Sequence, residues 1–280
     1  MANKPEIFFH VGLGKAASTY LQYRFFPKLK GICYIKPTRY RKAKEIITRS
    51  SKDKFLVSRE FDLQLEREVE DFSADYPDTK AIIVLRRHDS WIASQYRRFV
   101  KNGFGLKFQE FFDIDDDRGL WKQKDLYFFP KIQVLERYFT QKPLVLFFED
   151  LRDDPFGFFD RIAKFTGTRY DRGRISLSPK HKSYNDRQLK VIFWLSKQID
   201  IRKRWDYKIN FFNYLHHFYV SSIRYPMLYL ASLVPDSLIG KEELIPTDKL
   251  SKIQRVYEED WNRCLEYARG NDPLRSKAQS

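Results

Sequence analysis

The sequence predicts an α/β fold: a central parallel sheet layered between helices, with a helical region appended at its C-terminal end. Short apolar runs bounded by turn signals recur at residues 7–11, 55–58, 81–85 and 144–148, the pattern of strands buried on both faces. Helix-like segments at residues 18–26, 90–101, 131–139 and 155–165 alternate with them, and alternation of this kind builds α/β layers. From about Tyr184 the pattern changes to long segments rich in Lys, Arg and aromatics. The chain is therefore expected to divide into a core over residues 1–183 and a helical extension over residues 184–280.

Each element has a local reason. The first strand runs into Gly12 and Gly14, and Ser18 opens the first helix. After the second strand, residues 61–69 read as a helix. The stretch "LRRHDSW" ends the third strand, with Asp89 or Ser90 as N-cap of the next helix and Gly103 as its stop. "FEDLRDDP" reads as a strand followed by a turn and a helix, in which Glu149 and Asp150 are structural. Residues 211–238 read as two helices separated near Pro226. Their uncharged run, residues 225–234, is shorter than the roughly 20 apolar residues that span a bilayer. These helices either pack on the sheet domain or lie on a membrane surface. A last amphipathic helix covers residues 248–268 and ends near Gly270.

The 280 residues, 42% of them hydrophobic, suffice for a substantial core. A formal net charge of +15 sets up a field that attracts nucleic acid, anionic glycans, acidic lipid or a phosphate-rich cofactor. The two cysteines, Cys33 and Cys264, have neither disulfide-framework nor zinc-ligand spacing. With a strand-like run following so soon after "MANKPEIFFH", where a secretory signal would have its apolar segment, a cytoplasmic setting is expected.

The stretch "FFHVGLGKAASTYLQ" is built like a phosphate-binding loop. A Walker A loop, G-x-x-x-x-G-K-[ST], places its final hydroxyl on magnesium. Here Phe9 stands at the first Gly and Ala16 follows Lys15, so the metal ligand is missing. The anion-binding parts remain: Lys15 and the start of the Ser18 helix offer charge, amides and hydroxyls. Sulfuryl transfer suits this combination, because a sulfuryl group carries less charge than a γ-phosphoryl group and a Lys with backbone dipoles can neutralise the leaving phosphate. An ordinary strand-turn-helix with a Gly-containing turn is the alternative. In "IIVLRRHDSWIASQYRRF", Arg86 ends a strand and Ser94 follows eight residues later, at the sheet edge where α/β ligands bind. The two could clamp a second phosphate, the guanidinium as a fork of donors.

Taken in order, "HVGLGKAASTYLQ", "LRRHDSWIASQY" and "VLFFEDLRDDP" resemble the superfamily of sulfotransferases that use 3′-phosphoadenosine 5′-phosphosulfate (PAPS), most of all bacterial members whose loop reads close to HIGLxKTGTTxLQ. The likeness covers roughly the first two-thirds of the chain. It implies a three-layer, P-loop-NTPase-like fold for the core. It also implies that Gly14, Lys15, Ala16, Ala17, Ser18 and Thr19 surround the 5′-phosphosulfate, while Arg86 and Ser94 hold the 3′-phosphate. The loop departs from the family where Ala17 and Ser18 replace Gly and Thr. Ala17 resists a left-handed backbone at a cost of roughly 1–2 kcal/mol, so either the loop is α-compatible or cofactor affinity is reduced.

An acceptor hydroxyl must lose a proton as it attacks sulfur. Glu60, in "KFLVSREFDL" at the end of the second strand, is the candidate base; similar bacterial sequences often carry Ser-x-Glu there. Its alternative role is a carboxylate at the start of the following helix. Lys15 meets the charge that builds on the leaving phosphate. His10 is expected to support the loop and His88 to sit in a turn. Lys180, His181, Lys182 and Ser183 form either a cofactor lid, as a late basic loop does in related enzymes, or a solvated basic turn. Trp91, Tyr96, Arg97, Arg98 and Lys101 face the acceptor cleft or belong in part to the core.

The cationic, aromatic-rich composition suits a carbohydrate or glycan acceptor, with a glycolipid at the inner membrane face next. PAPS is then the donor and 3′,5′-ADP the product, with no metal required. Two other classes compete: a P-loop kinase or NTPase, which would prefer Mg-ATP, and a noncatalytic basic module for membrane or polyanion, with steep salt dependence. No nucleic-acid motif is present.

Overall fold

The computed structural model describes residues 4–178, 184–199 and 242–272, with isolated positions from 202 to 230. The strands are β1 (Glu6–Gly12), β2 (Cys33–Ile35), β3 (Lys54–Ser58), β4 (Lys80–Leu85) and β5 (Leu144–Phe147). Helices α1 (Ser18–Tyr20), α2 (Ala43–Arg49), α3 (Leu65–Asp75), α4 (His88–Lys101), α5 (Phe108–Phe111) and α6 (Phe129–Tyr138) are followed by α7 (Phe148–Asp153), α8 (Pro155–Phe165), α9 (Asp186–Gln198), α10 (Thr247–Val256) and α11 (Glu258–Gly270).

All five strands are parallel, in the order β2-β3-β1-β4-β5, so the loop-bearing strand is central. Its side chains explain that position: Phe8, Phe9 and Val11 are fully buried, which a strand sandwiched between helical layers requires. At the opposite end of β1, Glu6 ties three strands together, with Lys80 Nζ at 2.7 Å and Lys54 Nζ at 3.0 Å. Burial alone would raise the Glu6 pKa, but the hydrogen bonds from Lys80 and Lys54 outweigh it and hold the carboxyl below its usual range.

The described residues fall into two units. The first takes those of Met1–Arg87, Tyr127–Lys180 and Tyr257–Ser280, and contains the whole sheet; the second takes those of His88–Leu126 and His181–Val256. Both therefore draw on either side of residue 183. In the first unit, the buried Asp260 of α11 accepts the backbone N–H groups of Phe128 (2.7 Å) and Phe129 (3.1 Å), satisfying donors at the start of α6. Trp261 meets Phe147 edge-on at 4.9 Å. In the second unit, α4 packs against α9 and α10, and Trp91 meets Trp121 edge-on at 5.2 Å.

Several elements differ from the sequence expectation, each for a physical reason. Strand β2 is three residues long with one buried side chain, too short to leave a periodic signal. The helix after the loop is α-helical only over Ser18–Tyr20, then widens into a π-turn over Leu21–Phe25 and tightens to 3-10 at Phe26–Lys28, where Pro27 interrupts the ladder. The helix expected at residues 61–69 begins instead at Leu65, because Phe61 N–H donates to Val11 O (2.9 Å) and the chain there is tied to β1. Helix α4 starts at His88, so Asp89 and Ser90 lie within its first turn and neither is the N-cap. Phe148 opens α7 rather than ending a strand. The single helix expected at residues 248–268 is two, separated at the fully buried Tyr257. The helices expected at residues 211–238 lie largely outside the described residues. Among the described residues, no helix is long and apolar enough to cross a membrane.

Candidate active site

The loop between β1 and α1 is pinned before it turns. Leu13 N–H donates to Val84 O of β4 at 2.9 Å, and Ser18 Oγ donates to Leu13 O at 2.8 Å. Gly12 has φ 125°, and a Cβ there would stand 3.2 Å from the backbone N and O of Phe61, so both conformation and space demand glycine. Lys15 and Ala17 each have φ 65°, and Ala17 caps α1 from the left-handed region. The loop thus takes the strained alternative at Ala17, not the α-compatible one. Lys15 and Ala17, both left-handed, turn the backbone sharply on either side of Ala16, whose N–H donates to Leu13 O at 3.4 Å.

The structure brings Gly14, Lys15, Ala16, Ala17 and Ser18 into this one turn; Ala16 and Ser18 are buried, Lys15 is half-buried and Thr19 is exposed. Arg86, at the end of β4, comes to the same turn: its Nη1 donates to Lys15 O at 3.4 Å, and its guanidinium stacks 4.5 Å from the Phe148 ring. That contact is a cation–π interaction. Ser94 lies on α4, in the second unit, and is half-buried. Lys180, Lys182 and Ser183 fall outside the described residues.

Glu60 follows β3 in a segment bonded to β1 on both sides: Arg59 N–H donates to His10 O (3.0 Å) and Phe61 N–H to Val11 O (2.9 Å). It is half-buried at the carboxyl edge of the sheet. The alternative of a helix-start carboxylate does not hold, since the next helix begins five residues later at Leu65.

Sequence reasoning missed the polar cluster beneath this edge. His10 is fully buried, its Nδ1 2.8 Å from Ser58 Oγ, and Gln22 Nε2 donates to the same oxygen at 3.2 Å. Among the described residues His10 Nε2 has no hydrogen-bond partner, and burial pushes the ring's pKa down to about 3. The ring is therefore neutral at pH 7 and supports the loop's strand as expected. Tyr34 OH donates to Gln22 O at 3.0 Å. Burial drives the Tyr34 pKa well above its ordinary value, with smaller upward contributions from Tyr23 and Glu60, against a hydrogen bond to Ser58. These partners come from three strands and a helix, so no local spacing announces them.

Other sequence candidates resolve into structural roles. Glu149 Oε1 accepts Arg87 N–H at 3.1 Å and Asp150 pairs with Arg161 at 2.9 Å. His88 is buried as the first residue of α4, not in a turn. Trp91 and Tyr96 are core residues of the second unit; Arg97 forks onto Asp186 at 3.0–3.4 Å, and Lys101 sits over the Tyr184 ring at 5.3 Å. Among the described residues, no group of three or more His, Cys, Asp or Glu side chains is placed to ligate a metal.

No protein-family model and no curated protein matches the chain. Among solved structures it is similar to a sulfotransferase from Alicyclobacillus acidocaldarius, with a TM-score of 0.51 and 17% identity over 69% of this chain and 92% of that one. It also matches the mouse sulfotransferase SULT7A1 complexed with PAP, with a TM-score of 0.40 and 13% identity over 94% of this chain and 85% of the other. The five-stranded parallel sheet with flanking helices, carrying a loop after its central strand, is a sulfotransferase-like fold.

Proposed function

We propose that this protein is a PAPS-dependent sulfotransferase that moves a sulfuryl group to an acceptor hydroxyl, on a carbohydrate or glycan. The observation that supports the reading is the left-handed turn at Lys15 and Ala17 after the central strand, to whose Lys15 carbonyl the Arg86 guanidinium donates. In this reading Lys15 stabilises the phosphate oxygen as the S–O bond to it breaks. Glu60 accepts the acceptor's proton as the new O–S bond forms in line. Arg86 with Ser94 holds the 3′-phosphate, an assignment that rests on their sequence spacing, as does a lid formed by Lys180, Lys182 and Ser183. The similarity to the Alicyclobacillus sulfotransferase supports the reading at the level of fold. The mouse SULT7A1 structure is complexed with PAP. A cytoplasmic setting, at or near the inner face of the membrane, belongs to the same reading.

Calorimetric titration with 3′,5′-ADP in magnesium-free buffer tests the reading, with ATP as competitor. Binding should weaken about 10- to 100-fold in Lys15→Ala and in Arg86→Ala, the loss of one charged contact each. Preference for Mg-ATP would turn the assignment to a kinase or NTPase. Indifference to nucleotide, with steep salt dependence, would favour a noncatalytic basic module.

A further inference from the structure

Helix α9 presents two different stripes. Leu189, Ile192 and Leu195 are buried, and Tyr184 and Met227 pack against the last two. Lys190, Trp194 and Lys197 are spaced i, i+4 and i+7 and so share another face. Trp194 is 61% exposed, although an aromatic side chain of this size gains much by burial.

That second stripe lines a cavity of about 710 Å³ within the second unit. The volume lies in the range of small-molecule sites, roughly 300–1,000 Å³. Its apolar wall comes from Phe108, Val191, Trp194 and Leu244, and its charged groups are Lys107, Lys190 and Lys197 with Glu242 and Glu243. Among the described lining residues three lysines accompany two carboxylates; hydrogen bonds from Thr247 and, to a lesser degree, the nearby Lys190 hold the Glu243 carboxyl below its usual range. Glu243 is engaged by the start of α10, accepting from Thr247 N–H at 2.8 Å and Thr247 Oγ1 at 2.9 Å. Lys197 lies over the Phe193 ring with Nζ 4.5 Å from its centroid, which brings its cation beside the apolar wall. An apolar cavity with excess positive charge matches a ligand with a hydrocarbon body and one anionic end. A neutral sterol would leave the lysines unused.

We propose that this cavity binds a long-chain anionic amphiphile, its chain against Phe108, Trp194 and Leu244 and its head group on Lys190 and Lys197. The site involves none of the residues assigned above to donor binding or catalysis.

The test uses the full chain without nucleotide, titrated with the fluorescent amphiphile dansyl-undecanoic acid below its micellar concentration. One saturable site per chain is expected, displaced by palmitate. The charge reversal Lys190→Glu/Lys197→Glu should weaken the acid by at least about tenfold while leaving the neutral methyl ester of the probe unchanged. Val191→Trp, which fills the cavity, should weaken both. Lys15→Ala should change neither, so failure here is separable from failure of the sulfotransferase reading. Thermal melts identify variants that have not folded, and the probe's displacement from the unaltered chain by palmitate stands independently of them. Sedimentation with phosphatidylglycerol vesicles distinguishes the source. Vesicle binding lost in the charge-reversed variant identifies membrane lipid; probe binding without vesicle binding identifies a free amphiphile. Absence of saturable binding, equal affinity for acid and ester, or indifference to Val191→Trp would overturn the proposal.

Discussion

The carboxylate of Asp62 accepts the backbone N–H of Gly14 at 3.0 Å, bridging the segment after β3 to the loop after β1. A Cβ on Gly14 would meet both Asp62 oxygens at 3.0–3.1 Å, so the two groups are in direct contact. An acid thus stands beside a turn proposed to bind anions. It organises the loop and opposes its ligand at once.

Those two effects separate on substitution. Asp62→Asn keeps an acceptor oxygen and removes the charge, so 3′,5′-ADP affinity should rise a few-fold. Asp62→Ala removes the tether and should lower stability by about 1–2 kcal/mol in urea denaturation. Equal weakening of nucleotide binding in both variants would show that the charge itself, not the tether, holds the loop.

Ala17 holds φ 65°, a conformation that costs a side-chain-bearing residue roughly 1–2 kcal/mol. Glycine relieves that cost but loses about 0.5–1 kcal/mol to the greater freedom of its unfolded chain. Ala17→Gly should therefore stabilise by about 0.5–1 kcal/mol, and Ala17→Val, β-branched in the same conformation, should destabilise. Chemical denaturation of the pair checks both signs; destabilisation by Gly would mean that the loop is not left-handed in solution.

His10 makes a prediction about acid. Its pKa falls from 6.5 to about 3 in the fold because burial disfavours the charged ring. The unfolded chain takes up the proton first, so this contribution is fully present above pH 6.5 and is lost as pH falls toward 3. The slope within that window is at most about 1.4 kcal/mol per pH unit. His10→Gln should flatten the stability curve there, measured as the urea midpoint at several pH values. An unchanged slope would assign the acid sensitivity to other groups.

The parts of the fold visible in the sequence were those set by local pattern. Four of the strands could be read because residues such as Phe8, Ile83 and Leu146 belong to short, predominantly apolar runs whose side chains are buried. Gly103, with φ 86°, could likewise be read as the end of α4. Lys15 and Arg86 were legible as candidates because each stands at a strand-to-helix junction, and the fold brings them to one turn. What escaped the reading depends on partners far apart in the chain. Phe61 does not begin a helix because its N–H goes to Val11, and Ser58 matters because His10 and Gln22 reach it. Such pairs, 36 and 48 residues apart, have no periodic trace. For Trp91 and Tyr96 the sequence left both a cleft and a core position open, because an aromatic residue near a basic cluster has the same letter whether it lines a cleft or fills a core.

The strand order also bears on how this protein behaves at high concentration. An open sheet can recruit another chain only along its margins, where backbone donors and acceptors lack a neighbouring strand. Here one margin is β2, three residues long and followed two residues later by Pro37; the other is β5, four residues long, with α11 packed against it. The longest strands, β1 and β4, rich in buried apolar residues and so the most adhesive templates for intermolecular pairing, are enclosed by neighbours on both sides. The arrangement that centres the loop also keeps the sheet's stickiest segments out of reach of aggregation.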